Sequence, residues 1–307
     1  MILAELKEYI LKLGYKEALF YQTLANNKIQ CQLCPWNCQL REGQIGICGA
    51  RQNQNDKLYS LIYNQVSSIA LDPIEKKPLR HFHPGTKVLS VGTYGCNLLC
   101  QHCQNWQIAH VKQIKEQEAG IRFITPEQLI RMAKESGSAG VAWTYNEPTI
   151  WFEYAYEGAI LAKQAGLYTV WVTNGYINQA PLDMIAPYLD AYRVDVKAFS
   201  TEAYWRLAKI KDFQPILAAA ERAKNKWQLH VEIVTLVIPG LNDDEAQLRG
   251  IADWIVNKLG PVTPWHLNRF FPYLEFAELP ITPLKTLEKA KEIGHRAGLK
   301  DVYIGNV

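Results

Sequence analysis

From Lys87 onward the sequence alternates between short, β-branched apolar runs and amphipathic stretches of helical length. That alternation constrains the fold more than any other feature. KVLSVG, GVAWTY, YTVWVTNG, DAYRVDVK, HVEIVTLVIPG, TPWHLNRF and DVYIG read as strands, and the segments between them as helices. TPEQLIRMAKESG is the best-signalled helix, with Thr125 as its cap, Pro126 at its first position and Gly137 as its stop. DDEAQLRGIADWIVNKLG carries acidic residues in its first turn and Lys258 in its last, as a helix dipole favours. Strands separated by helices of this size pair in parallel. Six or seven such units predict an α/β fold, a partial (β/α)6-type TIM barrel that stops short of closure. In barrels of this kind the reactive groups collect at the C-terminal ends of the strands.

The first 86 residues have a different character. They open with an amphipathic helix, continue through a cysteine-rich stretch and a β-like run, KLYSLIYNQVSSIAL, and end in DPIEKKPLRHFHPG. The three prolines of that last segment read as a linker crossing the surface of the next domain. The expected division is therefore a small N-terminal Cys-rich module with its linker, 1–86, and a barrel, 87–307.

All seven cysteines fall into two sets, Cys31, Cys34, Cys38 and Cys48, and Cys96, Cys100 and Cys103. A secreted disulfide protein spreads its cysteines, whereas clustering of this kind points to metal. The opening residues include Glu5, Lys7 and Glu8, which a secretory leader excludes, and no apolar run reaches membrane-spanning length. The expected location is cytoplasmic. A net charge of +3 is too weak to imply nucleic acid or a membrane surface as partner.

The second set has the spacing C-x3-C-x2-C, in GTYGCNLLCQHCQNW, and follows the first barrel strand. A cubane [4Fe–4S] cluster normally takes four cysteines, so three leave one iron open to chemistry. A zinc site would need a fourth ligand, and His102 is held too tightly between two cysteines to be an obvious one. An iron–sulfur electron carrier would need four cysteines per cluster. The first set, C-x2-C-x3-C-x9-C, offers four thiolates to tetrahedral zinc or to an auxiliary iron–sulfur cluster, as an electron relay or as a structural staple. Asp195 and Lys197, two apart on a strand, face the same side, as do His266 and Asn268. Pro148 suits the first position of a helix, and Asn174-Gly175 is turn-prone in its own right. His81 and His83 read as packed or exposed linker histidines.

The C-x3-C-x2-C spacing resembles the signature of the radical S-adenosylmethionine (radical SAM) enzymes. CQLCPWNCQLREGQIGICGAR, LDPIEKKPLRHFHPG, YGCNLLCQHCQNW, WTYNEPTI, VTNGYI, VDVKAF, VIPGLNDDE and VYIGNV together resemble the radical SAM enzyme of the AmmeMemoRadiSam system. That family is itself similar to pyruvate formate-lyase activating enzymes. The resemblance implies that Cys96, Cys100 and Cys103 hold a catalytic [4Fe–4S] cluster whose open iron binds S-adenosylmethionine. Reductive cleavage of the S–C5′ bond then yields a 5′-deoxyadenosyl radical that takes hydrogen from a substrate the sequence does not name. It further implies cofactor contacts from His102, where the family usually has an aromatic residue, and from Asn105, Asn146, Glu147, Asn174, Asp195 and Lys197. His266 and Arg269 are weaker pocket candidates. Ferredoxin or flavodoxin is the implied reductant, and Memo-type and AMMECR-type proteins the implied associates. The rival enzymatic reading is a glycyl-radical activase, which would need a mouth wide enough to admit a peptide loop.

Overall fold

The structure, a computed structural model, describes residues 14–111 and 121–307. The helix expected at the N-terminus lies outside the described residues. The N-terminal part forms small antiparallel sheets from β1 (Lys16–Glu17), β2 (Tyr21–Leu24), β3 (Lys28–Cys31), β4 (Gln39–Leu40), β5 (Arg51–Gln54) and β6 (Lys57–Ser60), in the orders β1-β6-β5 and β2-β3-β4. Asn55 and Asp56, with φ of 52° and 59°, make the two-residue turn between β5 and β6. Positive φ at both positions matches the right-handed twist of a hairpin, which is why Asn and Asp stand there. A short strand β7 (Gln65–Val66) pairs with β10 (Arg122–Phe123).

The main sheet has eight strands: β8 (Ser68–Pro73), β9 (Lys87–Gly92), β11 (Gly140–Trp143), β12 (Tyr168–Thr173), β13 (Ala191–Asp195), β14 (His230–Val237), β15 (Trp265–Arg269) and β16 (Val302–Gly305). They lie side by side in chain order, with β8 antiparallel to β9 and the others parallel. The helices Pro126–Glu135, Phe152–Gln164, Gln179–Ile185, Thr201–Ala208, Gln214–Asn225, Glu245–Trp254 and Leu284–Ala297 cross between the parallel strands. This is the expected partial barrel. The signals read in TPEQLIRMAKESG are all used: Thr125 caps with a reciprocal Gln128 contact, Pro126 opens the helix and Gly137 follows it at φ +66°. Residues 68–73, on the N-terminal side of the expected boundary, are part of the barrel sheet.

One face of the sheet carries the large aromatics Trp143, Trp171, Tyr192 and Trp265, all fully buried. At its lower end the opposite face turns the small or β-branched Val88, Ala142, Val170 and Ala191 inward, and here the structure adds to expectation. The segment after β8 is exposed at Glu75, Lys76, Arg80, His81, His83, Pro84 and Gly85, as a linker would be, but it also sends side chains inward. Ile74, Leu79 and Phe82 enter the N-terminal end of the barrel and pack against Val88, Ala142, Val170 and Ala191. An open barrel has an apolar lumen that water would otherwise fill, and these three side chains plug it from a segment closed on itself by hydrogen bonds such as Ile74 N to the Thr86 carbonyl at 3.0 Å. Its backbone is tied to a buried carboxylate: Glu232 on β14 accepts the N–H of Arg80 at 3.1 Å and of His81 at 2.9 Å. His230 Nε2 at 2.8 Å and His266 Nε2 at 2.6 Å complete its surroundings.

Burial alone would raise the Glu232 pKa, but these hydrogen bonds outweigh it and hold the carboxyl down to about 2. The folded value lies below the ordinary 4.5, so the ion contributes stability above that pH and loses it as pH falls toward about 2. Glu232→Gln should cost on the order of 3 kcal/mol at neutral pH. That deficit should close between pH 4.5 and about 2, read by urea denaturation at a series of pH values.

Candidate active site

Beyond the plug, at the C-terminal ends of the strands, the barrel opens into a cavity of about 490 Å³. Cys96, Cys100 and Cys103 line it from the loop after β9. His102 and Asn105 line it from the same loop, and Asn146, Glu147, Asn174, Asp195 and Lys197 from other strand ends, so the structure brings together every expected contact except the pocket candidates His266 and Arg269. All seven cysteines are free thiols.

Each strand end contributes a defined function to the loop. Asn146, in the turn after β11, accepts the Thr93 N–H at 3.0 Å and donates to the Gly95 carbonyl at 2.8 Å, clamping the chain just before Cys96. Gly95 has φ of +88°, and a Cβ there would lie 2.4 Å from the Cys48 carbonyl oxygen, so glycine is required twice over. Glu147 is buried, which raises its pKa. It accepts from Thr149 N at 2.9 Å, Thr173 Oγ1 at 2.7 Å and Asn174 N at 2.7 Å, and so caps the turn Pro148–Trp151 and joins the ends of β11 and β12. Asn174 Nδ2 donates to Asn97 Oδ1 at 2.9 Å and stands 3.7 Å from Cys96 Sγ, which also receives the Leu98 N–H at 3.4 Å.

Asp195 bonds Arg193 Nη1 at 2.5 Å and Lys197 Nζ at 3.3 Å, making a charge triplet at the end of β13. Burial opposes the Lys197 charge, yet Asp195 reverses that and its pKa is raised. Burial, assisted by Lys197, pushes the His102 imidazole down to about 3, so it is neutral and lies flat near Phe276 with centroids 6.1 Å apart. Burial likewise raises the thiols of Cys96, Cys100 and Cys103, the last to about 12. Such thiols deprotonate at neutral pH only beside a strong electrophile such as a metal.

His266 is one pleat lower in the barrel, hydrogen-bonded to Glu232, while Asn268 from the same strand face reaches the cavity. Arg269 turns away to the Thr282 carbonyl. His81 hydrogen-bonds Tyr303, and His83 stacks on Tyr168. Sequence reasoning missed Arg193, Tyr145, Lys76 and Lys77, all of which line the cavity. Strand alternation from Asp195 would have found Arg193. Tyr145 is held at φ +72°, with its hydroxyl on Asp72 and its carbonyl on Asn105. Lys76 and Lys77 come from the plug, which the linker reading placed outside.

A model of the radical SAM superfamily matches residues 90–249. An uncharacterized protein of Methanocaldococcus jannaschii is 40% identical over 95% of this chain and 85% of its own length. The (2S)-3-sulfopropanediol dehydratase activating enzyme of Klebsiella oxytoca is 24% identical over 41% of this chain and 39% of its own. In fold, the chain is similar to a radical SAM methyltransferase from Sphaerobacter thermophilus, with a TM-score of 0.56 at 17% identity over 73% of this chain and 67% of that one.

That superfamily implies a [4Fe–4S] cluster and S-adenosylmethionine, and the residues present fit them. Among the described residues, no three His, Cys, Asp or Glu side chains are already drawn around one metal-ion position. A cubane does not ask for that, because each thiolate meets its own iron. It asks for three thiols on one wall of a roomy cavity, with polar groups opposite for the nucleoside. Asn146→Ala should leave the Thr93 N–H and Gly95 carbonyl unpaired and cost about 2–3 kcal/mol. In reconstituted protein it should lower iron retention with the cysteines intact, measured by iron content after gel filtration.

Proposed function

The chain belongs to the radical SAM superfamily and is an enzyme of that class; we propose that Cys96, Cys100 and Cys103 hold its catalytic cluster and that its substrate yields a hydrogen atom in the reaction. The single observation that supports this reading most is that three thiols share one cavity with Asn146, Glu147, Asp195 and Lys197. When bound, the cluster and S-adenosylmethionine supply one-electron cleavage of the sulfonium and the 5′-deoxyadenosyl radical that follows.

The protein's own residues bind and orient. Glu147 is a carboxylate fixed by three donors, suited to the ammonium group of the cofactor's methionine end. Arg193 and Lys197 offer cations to its carboxylate. His102, neutral and flat, suits the adenine side. The amide of Asn174 and the N–H of Leu98 stabilise the negative charge of the Cys96 sulfur. Ferredoxin or flavodoxin is the proposed electron donor. Association with Memo-type and AMMECR-type proteins is proposed on the sequence strings alone, and metal binding by Cys31, Cys34, Cys38 and Cys48 on their spacing. A second reading, activation of a glycyl-radical enzyme, is favoured by the likeness to the sulfopropanediol dehydratase activating enzyme.

Anaerobic reconstitution with iron, sulfide, S-adenosylmethionine and dithionite should yield 5′-deoxyadenosine. Cys100→Ala should abolish it. A fully loaded cluster that releases no nucleoside under any reductant would defeat the reading. A glycyl-radical doublet in a partner protein, seen by electron paramagnetic resonance, would select the activase.

A further inference from the structure

Cys31, Cys34, Cys38 and Cys48 line a second, enclosed cavity, formed where the N-terminal sheets meet the barrel. Leu33, Leu40, Trp36 and Ile150 give it apolar walls. Cys38 Sγ and Cys48 Sγ both lie within 4 Å of one point, the place a Cβ on Gly46 would occupy, at 3.8 and 3.9 Å. The free space in this cavity is about 10 Å³. That is the space of one water-sized atom. Among the described residues no three such side chains already surround one ion position, so binding asks these thiols to turn inward; space on this scale suits a single ion rather than an eight-atom cubane.

A second, independent feature points the same way. Arg51, 1% exposed, lines this cavity. Its Nη2 is spent on Glu153, at 2.8 and 2.6 Å, but its Nε and Nη1 have no hydrogen-bond partner. Buried guanidinium N–H groups without acceptors are costly, and neutral thiols are poor acceptors. Thiolate sulfurs on a metal are good ones.

We infer that these four cysteines bind one divalent ion of the zinc class as a tetrathiolate, with Arg51 donating N–H groups from its two spare nitrogens, Nε and Nη1, to the ligating sulfurs. The inference deepens the reading that this set binds metal and does not depend on the radical chemistry. The site abuts the catalytic loop: the Cys48 carbonyl packs on Gly95, and Trp36 Nε1 donates to the Asn97 carbonyl at 2.7 Å. Its ion therefore braces the loop that carries Cys96.

The test is a full-length protein with Cys96, Cys100 and Cys103 all replaced by Ala, so that no metal at the catalytic loop contributes. Elemental analysis should find one zinc per chain and no iron, with four sulfur neighbours at ~2.3 Å by X-ray absorption. Iron with acid-labile sulfide would overturn the single-ion inference while keeping the metal-binding reading. A metal-free protein with four thiols open to titration would overturn both. In the same background, Arg51→Met with Glu153→Gln, which leaves no buried carboxylate unpaired, should release zinc to a chelating dye with ~10–100-fold lower affinity. Unchanged affinity in a variant with native circular dichroism would remove Arg51 from the site.

Discussion

A parallel sheet that stops before closing must still bury its concave face, and this constraint shapes the rest of the molecule. The chain meets it at the lower end by sending Ile74, Leu79 and Phe82 into the lumen between β8 and β9. Backbone that turns inward from a loop must find partners for its polar groups. Glu232 supplies them for Arg80 and His81, and two histidines in turn hold Glu232. The cavity above inherits its depth from this plug, because the same segment brings Lys76 and Lys77 to its wall.

The upper end has the reverse problem. Loops after strand ends carry backbone polar groups that the sheet no longer pairs, and the side chains there satisfy them first. Asn146 serves Thr93 and Gly95; Glu147 serves Thr149 and Asn174; Asn105 serves Tyr145. The strand-end motifs therefore knit one loop to the next and hold the cysteine loop in one arrangement. Their chemical fitness for a cofactor and their structural use are not rivals, since a group fixed by packing is also a group that need not reorganise when charge arrives.

Much of this was legible in the sequence because it is local. The β–α alternation, the Thr125 cap and the C-x3-C-x2-C run each depend on neighbours within a few residues, and Asp195 and Lys197 follow from strand period. What failed is long-range. The inward turn of Ile74, Leu79 and Phe82 depends on whether a lumen exists to receive them, and the prolines and charges around them give no sign of it. His266 against Asn268 depends on how deep each sits along β15, and alternation gives the face of a strand but not the depth. Arg51 gave no local signal, since its meaning comes from Glu153, 102 residues away, and from thiols gathered on other loops.

The electrostatics of the two cysteine sites explain why one chain keeps them apart. The loop of Cys96, Cys100 and Cys103 lies in a cavity where Asp195 stands between Arg193 and Lys197 and Glu147 is fixed by neutral donors. A ligand carrying both an ammonium and a carboxylate can exchange into such a set without stranding a charge. The N-terminal site is small, apolar and closed, and offers a ligand no such exchange. Its one ionic pair, Arg51 with Glu153, is buried on both sides. Breaking such a pair leaves an uncompensated charge in low dielectric, so it holds β5 against the helix Phe152–Gln164 at a fixed distance. A small, apolar-walled pocket beside a roomy polar one is the arrangement expected if the first holds a fixed ion, as inferred above, and the second must admit and release a ligand.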